Sequence, residues 1–138
     1  MRWQEVGRAG TIYYPIWLSY AAGLLEKEGH KIRLLDAPAE GHQLKQVIQD
    51  IRCYSPDMIV IDTSFASLKN DINVAREIKL YKQDSLIVGV GPPTSQFANR
   101  MLNGGFDIVA RYEYDWTLAE LAKTVENGRS LNLSLIHI

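Results

Sequence analysis

The sequence predicts a doubly wound α/β domain whose parallel sheet lacks its first strand. Three observations carry this. Four short apolar runs, at 32–35, 58–61, 86–90 and 108–110, are continuous rather than alternating, as expected of strands covered on both faces. Amphipathic stretches separate them, and regular alternation of helix and strand gives a parallel sheet with right-handed crossovers. The order nevertheless opens on a helix. Residues 1–14 hold no strand-like apolar run, and Trp3-Gln4-Glu5-Val6-Gly7-Arg8-Ala9-Gly10 reads as loop.

The first helix is expected from Pro15 to about Glu28, with Pro15 at its first position and Gly29 just past its end. Trp17 and Tyr20 fall on it and are expected in the core. The second helix places Leu44, Val47, Ile48 and Ile51 on one face. The third, after Ser67, aligns Ile72, Ala75 and Ile78. A shorter fourth holds Phe97, Met101 and Leu102 before Gly104-Gly105. The last begins near Asp115 and has a capping-box pattern at Thr117 and Glu120. Its inner face is Leu118, Leu121, Ala122 and Val125, and it stops at Asn127-Gly128. The four runs should form parallel strands, with 32–35 at one edge. A gap should separate it from 58–61, where an absent first strand would lie.

The 138 residues, 46% hydrophobic, suffice for one domain with a real core. A formal charge of -1 with scattered Lys and Arg gives no field to draw nucleic acid or an anionic membrane. No apolar run approaches the roughly 18 residues of a membrane span, and the N-terminus lacks the apolar core of a secretory signal. Cys53 is the only cysteine, which excludes a disulfide framework and any CxxC metal site. A reducing cytoplasm suits this usage. Cys53 itself, at a helix end, reads as a partly buried small apolar residue. The final 133–138, Leu-Ser-Leu-Ile-His-Ile, reads like translated sequencing adapter. The domain is therefore expected over 1–132, with a non-native tail that gives His137 no functional weight.

In an open parallel sheet, ligands sit beyond the carboxyl ends of the strands, where strand order reverses. The loops that matter follow Ile61, Val90 and Ala110. The first two, Asp62-Thr63-Ser64-Phe65-Ala66-Ser67 and Gly91-Pro92-Pro93-Thr94-Ser95, are rich in small residues and hydroxyls. Small residues let a bulky ligand approach the backbone, and hydroxyls with free helix amides can receive a phosphate. The same residues also make ordinary turns.

Tyr13-Tyr14-Pro15-Ile16-Trp17-Leu18-Ser19-Tyr20-Ala21 is followed by Gly29-His30 and Leu35-Asp36-Ala37-Pro38. Further on come Pro56-Asp57-Met58-Ile59-Val60-Ile61, Val88-Gly89-Val90-Gly91-Pro92 and Glu113-Tyr114-Asp115-Trp116-Thr117-Leu118. In this order and spacing they resemble the N-terminal cobalamin-binding domain of B12-dependent radical S-adenosylmethionine proteins. The resemblance implies a flavodoxin-like or Rossmann-like fold with a corrin over the carboxyl edge. It implies Thr63, Ser64 and Ser67 on one side of the nucleotide tail, Gly89, Gly91 and Thr94 on the other, and Glu113 and Tyr114 at the rim. The Asp-x-His-x-x-Gly signature that supplies a cobalt-ligating histidine elsewhere is absent, and Asp36 with His42 has the wrong spacing. Arg111-Tyr112 stands where Gly often precedes the Glu, which would narrow the pocket.

The implied partner is a C-terminal radical S-adenosylmethionine domain. Its [4Fe-4S] cluster and S-adenosylmethionine belong to that part, because one cysteine cannot make a CxxxCxxC site. This chain is not expected to be catalytic alone. Two other readings compete. A signalling receiver would use Asp62 as phosphoacceptor but needs an acidic pair and a Lys that the loops do not offer. A flavodoxin-like electron carrier would want aromatic-flanked flavin loops, for which only Tyr112 and Tyr114 hint. His30 reads as a surface histidine. Gly89-Val90-Gly91 lacks the third Gly of a dinucleotide fingerprint.

Overall fold

A computed structural model describes residues 14–128. Along them run α1 (Ile16–Lys27), α2 (Leu44–Tyr54), β1 (Met58–Asp62), α3 (Leu68–Tyr81), β2 (Leu86–Val90), α4 (Thr94–Leu102), β3 (Ile108–Val109) and α5 (Asp115–Glu126). The strands form one parallel sheet in the order β1-β2-β3. Val60 stands opposite Val88, and Val88 opposite Ile108. This is the expected α/β architecture, a parallel sheet flanked by helices.

Alternation along the strands sorts the core into two layers. Ile61, Ile87 and Val109 face α2, α3 and α4, where they meet Ile48, Ile72, Ala75, Ile78 and Met101. Val88, Val90 and Ile108 face α1 and α5, where they meet Leu18, Leu25, Leu118 and Leu121. Each Leu or Ile fully buried this way contributes roughly 1.5–3 kcal/mol. α1 needs that packing, because its cap residue Pro15 makes no side-chain hydrogen bond and its first turn carries no acid.

The direction of α1 follows from its ion pairs. Glu28 pairs with Lys123, and His30 Nδ1 lies 4.0 Å from Glu126 Oε2. The C-terminal ends of α1 and α5 therefore lie together at the amino edge of the sheet. From there residues 30–35 run beside β1 towards the carboxyl edge, with Arg33 donating to Asp50 on α2 at 2.9 Å. The loop 36–43 then turns into α2.

Several expectations are corrected. Residues 32–35 form no strand: they have no ladder partner among the described residues, and Ile32 and Leu34 are exposed. A cleft of about 750 Å³ separates them from β1, so among the described residues no strand stands at pairing distance. Trp17 and Tyr20 are 71% and 62% exposed. The buried stripe of α1 is Leu18, Ala21 and Leu25, and the two aromatics fall on the opposite arc, ring against ring at 6.2 Å. Cys53 is exposed, because Val47 and Ile48 take the inner face of α2. Thr117 and Glu120 do not cap α5, which starts two residues before Thr117 with Tyr114 in the cap position. The capping box that does form joins Gln43 and Gln46 at the start of α2. Pro15 takes the cap position rather than the first helical one. The loop expected over 3–10 and the tail 133–138 lie outside the described residues.

Candidate functional site

The loops after β1, β2 and β3 meet at the carboxyl edge. The Thr63 N–H and hydroxyl both donate to the Val90 carbonyl, at 2.9 and 2.8 Å, which ties the first loop to the second. Gly91 completes the join. Its φ is +103°, and a Cβ there would lie 2.2 Å from the Thr63 carbonyl oxygen and 2.7 Å from Asp62 Oδ1. Only glycine fits. Thr94 donates through its hydroxyl to the Gly91 carbonyl at 2.8 Å and through its N–H at 3.1 Å. The hydroxyls of Thr63 and Thr94 are therefore committed to the main chain.

Ser64 and Ser67 form a tighter unit. The Ser64 N–H donates to Ser67 Oγ at 3.0 Å, the Ser67 N–H donates to Ser64 Oγ at 3.1 Å, and the two oxygens lie 2.8 Å apart. Ser67 is buried while Ser64 is only half-buried. Behind them the Ser67 hydroxyl donates to Asp71 Oδ2 at 2.6 Å. Asp71 is fully buried, and its Oδ1 has no hydrogen-bond partner among the described residues. Burial pushes its carboxyl up to about 7; the neighbouring Asp62 charge adds to the rise, and the Ser67 hydrogen bond offsets part of it.

The third loop is more open. Tyr112 adopts a left-handed φ of 57° and is exposed, as is Glu113. Arg111, Tyr112, Glu113 and Thr117 line a shallow depression of about 520 Å³. Burial raises the Asp115 carboxyl, with Glu113 adding to it.

The eight residues expected at the site thus divide. Thr63, Ser64, Ser67, Gly91 and Thr94 come together on adjoining loops, and Glu113 stands on the third. Gly89 faces the core, where a Cβ would lie 2.5 Å from Met101 Cε and 2.9 Å from Phe106 Cδ1. Tyr114 is buried in the layer of α1 and α5. Gly91 closes on the Thr63 main chain and the Asp62 carboxyl rather than lining an open crevice. Asp71 is the residue that sequence reasoning missed.

Asp62 is 8% exposed, and among the described residues no three His, Cys, Asp or Glu side chains are grouped to hold a metal. His30 lies at the amino edge beside Glu126. His42 lies in the loop before α2, with Nε2 3.7 Å from Glu40 Oε2. No described helix is long and apolar enough to cross a membrane.

What the carboxyl edge offers suits a large flat ligand with a polar tail. The edge is floored by small residues, Ser64 presents a half-buried hydroxyl, and exposed Phe65 and Tyr112 give apolar surface on either side.

Comparison with known proteins adds to this geometry. The model of the B12 binding domain matches residues 5–122. An uncharacterized methyltransferase of Pyrococcus horikoshii is 25% identical over 124 residues, 88% of this chain and 27% of its own length. The chain therefore spans about a quarter of that relative. The N-terminal domain of a hypothetical protein of Thermotoga maritima has the same fold. The TM-score is 0.56 at 11% identity, over 87% of this chain and 95% of that one. The sheet, the loops at its carboxyl edge and the match over most of the sequence lead to one assignment: the chain belongs to the B12-binding domain family.

Proposed function

We propose that this cobalamin-binding domain serves a radical S-adenosylmethionine enzyme and works with a C-terminal domain that carries the iron–sulfur cluster and S-adenosylmethionine. The observation that carries cobalamin is the family match over 5–122, joined to loops of small and hydroxyl residues at the carboxyl edge. Methyl transfer is the favoured reaction class, because the relative from Pyrococcus is named a methyltransferase. The radical part of the reading rests on the sequence resemblance. One cysteine cannot hold a cluster that needs three thiolates, so that chemistry is assigned to the rest of the enzyme.

Bound cobalamin supplies a cobalt centre able to carry a methyl group. The chain's own residues bind and orient it. Ser64 offers its hydroxyl oxygen to the nucleotide tail, Ser67 and Asp71 hold Ser64 in place, and Glu113 with Tyr112 bounds the rim. No histidine is assigned to cobalt.

The test is direct. The chain is mixed with hydroxocobalamin, desalted, and its visible spectrum recorded. Retention of about one equivalent at micromolar protein supports the reading. Loss of all colour, with phosphorylation of Asp62 by acetyl phosphate, overturns it in favour of a receiver. The radical assignment is tested on the longer protein. A reconstituted sample should show the absorption and EPR signal of a [4Fe-4S] cluster, and a sample that binds no iron would exclude it.

A further inference from the structure

Ser64 and Ser67 have little choice in where their protons go. A hydroxyl has one proton to give and two lone pairs to fill. One lone pair of Ser67 Oγ takes the Ser64 N–H at 3.0 Å, and one of Ser64 Oγ takes the Ser67 N–H at 3.1 Å. The two oxygens lie 2.8 Å apart, so one hydroxyl donates to the other. Which one does so is decided behind them, at Asp71 Oδ2, 2.6 Å from Ser67 Oγ.

An ionised Asp71 only accepts. The Ser67 proton goes to it, in a charge-assisted bond whose short length suits that pairing. The Ser64 proton then fills the second lone pair of Ser67 Oγ. Ser64 is left with one open lone pair and no proton to give, so it meets a ligand as an acceptor. A protonated Asp71 reverses the chain. Its Oδ1 has no hydrogen-bond partner among the described residues, and a buried donor without a partner is tolerated less than an acceptor. The acid proton therefore sits on Oδ2 and is donated to Ser67 Oγ. Both lone pairs of Ser67 are now filled, and its own proton turns to Ser64 Oγ. The Ser64 carbonyl, at 3.5 Å, is the weaker alternative. Both lone pairs of Ser64 are filled in turn, and its proton points outward as a donor.

The surroundings of Asp71 bring both states within reach. α2 and α4 turn Ile48, Ala98 and Met101 into the layer that holds α3. Among the described residues the other buried carboxyl is Asp62, at the end of β1. Burial first, and then the Asp62 charge, raise the Asp71 carboxyl to about 7, with the Ser67 hydrogen bond offsetting part of the rise. Two carboxyls at this edge also disfavour a phosphate beside Ser64 and favour an uncharged donor.

We propose that Asp71 is a positioning residue that sets the sense of recognition at Ser64. Ionised, it makes Ser64 an acceptor matched to a hydroxyl or amide N–H of the bound nucleotide tail; protonated, it makes Ser64 a donor and the match is lost. Asp71 acts through Ser67, and the proposal rests on the reading of this edge as the cobalamin site. Because the ligand prefers the ionised form, affinity rises with pH until Asp71 of the free chain has lost its proton, and is level above that.

The experiment has two arms, each run on the chain and on Asp71→Asn. In the first, without ligand, NMR follows the Asp71 carboxyl carbon and the amides of Ser64 and Ser67 against pH. The three signals should titrate with one midpoint, and the two amides should stand still in the variant. Amides that do not move while Asp71 titrates would overturn the relay. In the second, equilibrium dialysis measures binding of cyanocobalamin, whose cobalt carries cyanide rather than a titratable water. Affinity of the chain should rise about five- to a hundredfold from acid to alkaline pH, the value of one hydrogen bond matched or mismatched. Asp71→Asn, with no proton to lose, should bind equally across the range. A flat or falling profile in the chain, or the same rise in the variant, would overturn the proposal while leaving cobalamin binding intact. No binding by either protein at any pH would sink the cobalamin reading and this recognition step with it.

Discussion

The Ser67 hydroxyl lies 2.6 Å from Asp71 Oδ2, so the serine pair at the carboxyl edge is anchored to a buried carboxyl. Asp71 has a native pKa of about 7 against an ordinary 3.8. Between these values the unfolded chain has lost the proton while the folded chain keeps it. Stability therefore falls as pH rises from about 4 to 7 and is level above that. The span is on the order of 2–4 kcal/mol. Asp71→Asn, which keeps an acceptor for Ser67, should flatten this slope and stabilise the domain at pH 8. Urea unfolding at several pH values checks it, and an unchanged slope in the variant would refute the role given to Asp71.

Ser64→Ala should weaken cobalamin binding by roughly five- to a hundredfold, the value of one buried hydrogen bond, about 1–3 kcal/mol. The variant also removes the acceptor for the Ser67 N–H. Thermal unfolding run beside equilibrium dialysis therefore separates a binding loss from a loop that has come apart.

Gly91→Ala and Gly89→Ala should both destabilise, and the first more. At Gly91 the new Cβ meets backbone at 2.2 Å in a left-handed conformation, whereas at Gly89 it meets the end of Met101 and the Phe106 ring. A cost of roughly 2–4 kcal/mol at Gly91 is expected from strain and the broken loop contact. Gly91→Leu would act through the same contact, so lost cobalamin binding in that variant is to be judged only where the fold survives. Denaturant midpoints for the two alanine variants test the ranking.

His30→Ala and His42→Ala should leave the visible spectrum of bound cobalamin unchanged. His30 stands at the amino edge beside Glu126, and His42 is paired with Glu40. A shift in the cobalt bands of either variant would place that imidazole on the metal.

The runs at 58–61, 86–90 and 108–110 were legible because a strand covered on both faces has to be apolar throughout, and the order β1-β2-β3 followed from the helices between them. The run at 32–35 is interrupted by Arg33, which pairs with Asp50 on α2, and it has no neighbour to pair with among the described residues; composition cannot supply one. Trp17 and Tyr20 were misplaced because apolar residues occur all round α1, and the packing of Leu18, Ala21 and Leu25 selects the inner arc. Asp71 left no signal in sequence. A Ser followed four residues later by an Asp is ordinary at a helix start, and only the tertiary burial of α3 turns it into a perturbed acid. The loops after β1 and β2 were located correctly, but their mutual closure depends on where Gly91 puts its missing side chain.

Trp17 and Trp116 are each 71% exposed, on the neighbouring helices α1 and α5. Their indoles already emit into water, so the intrinsic fluorescence they contribute changes little when the domain unfolds and is a poor monitor of its stability. The same placement makes them sensitive to anything laid over that face. A protein surface docking across α1 and α5 would move their emission to shorter wavelength while the fold beneath stayed as it is.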